Sequence, residues 1–185
     1  ANLLEENMRK NNLNLFIVKP ADGSCGEGCS LNNINDIDKK DDLYKNILES
    51  SYIFQEVITQ HSDINVIYPY SLNTIRMDTY IDDNDNINII SAYMRFGANK
   101  SIVDNASSGG CFVSIDMNNG KLKDKGHQLL EHGGEVYYKH PDTKVSFEGL
   151  LVPYFDEAKK LVLNAAELLP YKLIGWDIGI TEDGP

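Results

Sequence analysis

A single lysine, Lys19, closes the short apolar run Phe16-Ile17-Val18, and after Pro20 three glycines, Gly23, Gly26 and Gly28, fall within six residues. A strand would place the lysine ammonium by rigid backbone, and glycines let main-chain N–H groups approach an anion without interference from a Cβ. Strand, lysine and glycine loop in that direction make a cradle for phosphate. The spacing from Gly23 to Gly28 fits the opening of a Walker A loop, but Cys29 stands where that motif needs its lysine. A protein kinase places its glycine loop before the lysine strand, so the order here excludes that arrangement too. The alternative is a β-hairpin whose flexible turn leaves an exposed lysine. A second candidate is Asp177, between Trp176 and Ile178 in an otherwise apolar stretch. Its ionised form is costly there without a cation or hydrogen bonds, unless the carboxylate caps a nearby turn.

Charge narrows the choice of partner. With 28 acidic against 17 basic residues, a formal net charge of -11, and no basic run, the chain has no global attraction for nucleic acid, so any anion must be held by a local site. A composition 42% hydrophobic and 24% charged is that of an ordinary globular protein, and 185 residues suffice for one domain or two small lobes. No apolar run approaches the roughly 20 residues of a membrane span, and Ala1-Asn2-Leu3-Leu4-Glu5-Glu6 lacks the features of a signal peptide. The chain reads as cytoplasmic. Cys25, Cys29 and Cys111 have no zinc spacing and read as reduced thiols.

The elements that must position these residues follow from periodicity. Asn2 to Lys10 has helical propensity, Leu13 to Val18 reads as the first strand, and Leu31 to Lys40 as a loop with at most one edge strand. Asp41 to Glu49 opens with acids at a helix N-terminus, and Ser51 to Thr59 is β-rich. From Thr74 to Ile81 the residues alternate, with Ile75, Met77, Thr79 and Ile81 on one face and Arg76, Asp78 and Tyr80 on the other. Asn86 to Phe96 repeats the pattern, which predicts a hairpin. The acidic turn between them, Asp82-Asp83-Asn84-Asp85, is not a calcium loop, because Ile87 replaces the required glycine and Tyr93 the bidentate glutamate. Cys111 to Met117 predicts a further strand, Asn119-Gly120 a two-residue hairpin turn, and Val136-Tyr137-Tyr138 a short strand. Pro153 to Leu169 predicts the longest helix, with Phe155, Ala158, Leu161, Val162, Ala165, Leu168 and Leu169 at spacings of three and four. Lys172 to Ile180 reads as a buried strand. The chain reads as truncated at both ends, starting inside a helix and stopping at Pro185 before a partner strand.

Taken in order, Phe16-Ile17-Val18-Lys19-Pro20, Gly23-Ser24-Cys25-Gly26-Glu27-Gly28, Gln55-Glu56, Asn73-Thr74-Ile75-Arg76, Arg95-Phe96-Gly97, Asp104-Asn105 with Gly109-Gly110, and the run Gly175 to Pro185 resemble the ATP-grasp superfamily. The likeness is to its sugar-transfer-associated branch, whose members sit among polysaccharide-synthesis genes, and it spans Leu13 to Pro185. The resemblance implies an α+β fold of two lobes of largely antiparallel sheet with flanking helices, a smaller lobe over residues 1–59 and a larger one over 60–185. It implies ATP and Mg²⁺ as cofactors and an ATP-dependent ligase that activates a carboxylate as an acylphosphate for attack by an amine, in cell-surface polysaccharide or peptide modification. An association with polysaccharide-synthesis enzymes is implied as well.

Residue by residue, the resemblance assigns Lys19 to the α- and β-phosphates, and the loop Ser24, Cys25, Gly26 and Gly28 to the β- and γ-phosphates. Gln55, Glu56 and Ile58 would lie at a hinge beside adenine or ribose. Arg76 and Arg95 would face phosphate or the carboxylate substrate, and Asn105 would approach phosphates and metal. Asp177 would be the first metal ligand, with a Glu and an Asn implied on a following strand. Neither Cys25 nor His61, His127, His132 or His140 is given a catalytic role. The alternative function is a catalytically inactive nucleotide-binding regulatory or scaffold module.

Overall fold

The computed structural model describes residues 2–22, 26–36 and 51–185, so the expected Asp41–Glu49 helix, Ser24 and Cys25 lie outside the described residues. The chain divides into two compact units, Ala1–Val57 and Ile58–Pro185.

In the first unit the Asn2–Lys10 helix is followed by strands β1 (Leu15–Pro20), β2 (Ser30–Asn33) and β3 (Tyr52–Glu56), which form an antiparallel sheet in the order β2-β1-β3. Alternation along β1 sends Phe16 and Val18 to one face, where they bury with Met8 and Ile34 and pack against Leu13, Tyr52 and Phe54. The helix ends in a Schellman arrangement: Asn12 adopts φ 54°, its N–H bonds Arg9 O at 3.2 Å, and Leu13 N–H bonds Met8 O at 2.9 Å. That turn brings the chain from helix to β1 within a few residues. The strand runs two residues further than the apolar pattern predicts, so Lys19 lies within it.

The second unit is a six-stranded antiparallel sheet of β4 (Ile75–Ile81), β5 (Ile87–Phe96), β6 (Cys111–Ile115), β7 (Leu122–His127), β8 (Val136–Tyr137) and β9 (Leu173–Ile178), in the order β8-β7-β6-β5-β4-β9. Strands β4 to β8 are a meander, and the Phe155–Ala166 helix carries the chain back so that β9 pairs with the free side of β4. One face of the sheet supplies Ile75, Met77, Met94, Phe96, Val113 and Ile115 to a core completed by Phe147, Val152, Phe155, Ala158 and Val162. The opposite face carries Arg76, Asp78, Tyr93, Arg95 and Asp177, as the register requires. A bulge opposite Asp78 and Thr79 inserts Ile90 into β5 and leaves it 58% exposed.

Three expectations need correction. The helix starts at Phe155 because Tyr154 takes a left-handed φ of 53°, and it ends at Ala166, after which Leu168 and Leu169 close a tighter turn onto Ala165 O and Ala166 O ahead of Pro170. Its buried stripe is Phe155, Ala158, Val162 and Ala166, while Leu161 and Leu168 are exposed. Among the described residues β9 is an edge strand, exposed on one face, so Asp177 lies on the solvent side of the sheet and not in an apolar interior. The turn between β6 and β7 is longer than the predicted two-residue type, since Asp116 N–H bonds Lys121 O and Gly120 (φ 68°) lies between them. The Asp82 carboxylate accepts the backbone N–H groups of Asn84 and Asn86, which makes the acidic segment a self-closed turn. Among the described residues no helix is long and apolar enough to cross a membrane.

His140 is fully buried against Tyr68, Phe96 and Phe147. Its Nε2 lies 2.9 Å from Gly97 O, so that nitrogen carries the proton, and Nδ1 accepts from Asp142 N at 3.2 Å. Burial lowers its pKa; the Gly97 carbonyl and Asp142 oppose this, and Lys144 adds to it. A His with a depressed folded pKa contributes stability that is full above its unfolded value of about 6.5 and is lost as pH falls below it. The thermal midpoint should therefore fall between pH 7.5 and pH 5.5, and His140→Gln should flatten that dependence; an unchanged pH profile in the variant would contradict the assignment.

Candidate functional site

The first unit presents Lys19 on the sheet face opposite its core. The register places Leu15, Ile17 and Lys19 on that face with Ile53 and Gln55 of β3 and Leu31 of β2. Lys19 Nζ donates to Gln55 Oε1 at 2.7 Å, so the amide fixes the ammonium at the surface. Leu15, Leu31 and Ile53 are 42%, 47% and 45% exposed, and they give the lysine an open apolar surround. Gly26 and Gly28 have φ values of 76° and 71°. A Cβ on Gly28 would lie 2.8 Å from Pro20 Cγ, so glycine lets the loop return closely over the end of the lysine strand. Glu56 shares the opposite face with Phe16 and so does not join Lys19 and Gln55. Ile58 begins the second unit and is 41% exposed.

The second unit gathers charge on the open face of its large sheet. Arg76 is the direct cross-strand partner of Asp177 on one side and Tyr93 on the other. Its Nη1 lies 3.0 Å from Asp177 Oδ1 and its Nε 3.3 Å from Asp78 Oδ1. Arg95 Nη2 lies 3.2 Å from the second Asp177 oxygen. Arg95 is otherwise bound from below: Nη2 donates to Thr74 Oγ1 at 2.6 Å, Nη1 to Asn105 Oδ1 at 3.3 Å, and Nε lies 3.4 Å from Asp104 Oδ2. Asp104 also accepts the Thr74 N–H at 2.8 Å and hydroxyl at 2.6 Å. Burial raises its pKa, against the lowering effects of Arg95 and Thr74. Burial alone would lower the pKa of Arg76, yet the Asp177 and Asp78 carboxylates hold it above its ordinary value.

The structure thus brings Arg76, Arg95, Asn105 and Asp177 together in the second unit, and Lys19 and Gln55 in the first. Sequence reasoning did not assign Asp104, Thr74 or Asp78. Alternation along β4 already placed Asp78 on the Arg76 face, whereas the other two act through a contact across 30 residues. His61, His132 and His140 each bond a neighbouring backbone group.

Two guanidiniums meet three carboxylates, so the cluster carries one negative charge in excess, and Asp177 is its most open acid at 46% side-chain exposure. A divalent cation bridging phosphates needs only one or two protein carboxylates, and Asp177 fits as one. Both its oxygens are already held by arginine, so a cation would share them or displace a guanidinium. No group of three His, Cys, Asp or Glu side chains suited to a metal gathers among the described residues.

The burial difference predicts a stability difference. Asp104→Ala strands the Thr74 N–H and removes the buried partner of Arg95, so it should destabilise the second unit by about 3 kcal/mol. Asp177→Asn, at an exposed ion pair, should cost about 1 kcal/mol or less. Denaturant unfolding followed by the single tryptophan, Trp176, whose indole N–H bonds Thr79 Oγ1 at 2.8 Å, measures both, and equal losses would contradict the burial argument.

The chain matches the family described as sugar-transfer associated ATP-grasp over residues 2–185. No curated protein and no solved structure matches it. The match covers both the Lys19 face and the Arg76, Arg95 and Asp177 cluster, and membership implies ATP as the nucleotide and ATP-dependent chemistry of the ligase type. By this match the chain, with its α+β architecture of two antiparallel sheets, belongs to the sugar-transfer associated ATP-grasp family.

Proposed function

We propose that this chain is the ligase domain of a cytoplasmic enzyme that activates a carboxylate as an acylphosphate for attack by an amine. Its place is in cell-surface polysaccharide or peptide modification, alongside polysaccharide-synthesis enzymes. The observation that carries this reading is the convergence of Arg76 and Arg95 on Asp177, with Asn105 on Arg95, on one open sheet face.

Phosphoryl transfer asks little covalent chemistry of a protein; it needs positioning and charge stabilisation where negative charge builds. Lys19 holds the nucleotide phosphates, with the N–H groups of its glycine loop. Arg76 spends Nε and Nη1 on carboxylates, which leaves Nη2 without a protein acceptor among the described residues and able to donate to a substrate oxygen. A carboxylate oxygen of the substrate attacks the γ-phosphorus as the bond to the bridging oxygen breaks and ADP leaves. Arg76 and Arg95 stabilise the charge on the transferred group. The amine then attacks the acyl carbon, and phosphate departs. Bound Mg²⁺ would neutralise charge on the phosphates, and Asp177 would be the residue of this chain to hold it.

Calorimetry with Mg-ATP tests the nucleotide site. Lys19→Ala removes a charge-assisted hydrogen bond of about 1.5 to 3 kcal/mol, so affinity should fall roughly ten- to a hundredfold. No binding to the unsubstituted chain would overturn the reading. Phosphate release with pooled carboxylates and amines should fall about a hundredfold in Arg95→Ala. Binding of ATP without release in any mixture would favour a regulatory or scaffold module.

A further inference from the structure

We infer that Gly175 is a positioning residue: the absence of a side chain there provides the berth in which the Arg76 guanidinium lies. Gly175 is in the interior of β9, directly across from Asp78, and shares the open sheet face with Asp177. Glycine weakens a strand, and in such a place it commonly marks the close approach of another group. Its backbone does not explain it, because Gly175 is not among the glycines with positive φ and its conformation is open to any residue. What a side chain would meet is Arg76. A Cβ built on Gly175 lies 2.6 Å from Arg76 Nε and closer still to Cζ and Nη2, so the planar end of the arginine occupies the place of the missing side chain.

The reason is geometric. Arg76 bonds Asp78 on its own strand through Nε and Asp177 on β9 through Nη1. Asp78 faces Gly175, and Asp177 lies two residues beyond, so a guanidinium reaching both carboxylates must lie across position 175. Any side chain there lifts the guanidinium off the strand and breaks both bonds. The obstructing atoms belong to the far end of a flexible side chain, so the arginine can move while the strand stays paired. Gly175→Ala therefore separates the place of Arg76 from the integrity of the fold.

The Arg76 Nε–H resonance in a proton–nitrogen NMR spectrum, assigned by its loss in Arg76→Lys, reports the berth directly. In Gly175→Ala it should move to the position of a solvent-exposed arginine, while the Trp176 indole N–H, bonded to Thr79, stays in place. Thermal unfolding supplies a cycle: Gly175→Ala should lower the midpoint in the native background and leave it unchanged or raised in the Arg76→Ala background, where the berth is empty. An unmoved Nε–H signal, or equal shifts in the two backgrounds, would overturn the inference. If Gly175→Ala does not fold, the double variant decides, because it folds on this account and its failure would overturn it. The catalytic consequence rests on the proposed ligase reading: phosphate release should fall by a similar factor in Gly175→Ala, Arg76→Ala and the double variant, and multiplying losses would overturn it. Phosphate release missing from every protein, with the NMR and thermal results as expected, would sink the ligase reading and leave the berth standing.

Discussion

Two guanidiniums on one carboxylate is the interaction from which the arrangement of the second unit can be understood. Asp177 comes from β9, Arg76 from β4 and Arg95 from β5, so three adjacent strands must be in register for both oxygens to be engaged. The long return through the Phe155–Ala166 helix puts β9 beside β4, and the core on the other face holds the strands in that order. The bulge at Asp78 lies at the rim of the same cluster, where a local change of twist aims side chains.

The cluster is graded in depth, and the grading explains what each part does. Arg95 and Asp104 are nearly buried and bound to Thr74 and Asn105, so they are fixed; Arg76 and Asp177 lie nearer the surface and can exchange partners. Exposed ion pairs add little stability, and buried ones often no more than break even against their desolvation. What the arrangement provides is placed charge: the Arg95 guanidinium is held in one position by Thr74, Asn105 and Asp104. The first unit follows the same logic on a smaller scale, with Gln55 holding the Lys19 ammonium on an apolar face.

Much of this was legible in the residue pattern, and the exceptions have physical causes. Alternation along β4 and β5 is clear because that sheet has one buried and one open face, so the side of Arg76 could be read directly. Lys19 lies in its strand as the apolar run before it suggests. β9 misled because Ile174, Trp176 and Ile178 make its buried side so apolar that the edge position is hidden. Leu161, Leu168 and Leu169 continue a helical period but face solvent, so periodicity overstated the helix. The seat of Arg95 on Asp104 and the berth of Arg76 on Gly175 depend on contacts between distant segments, and no local pattern encodes them.

The proposed function depends first on Lys19, which must hold the phosphates of a bound nucleotide. A crystal structure of the chain with Mg²⁺ and a non-hydrolysable ATP analogue tests it most directly. Phosphate oxygens are expected within hydrogen-bonding distance of Lys19 Nζ. An analogue bound with its phosphates away from Lys19 would contradict it.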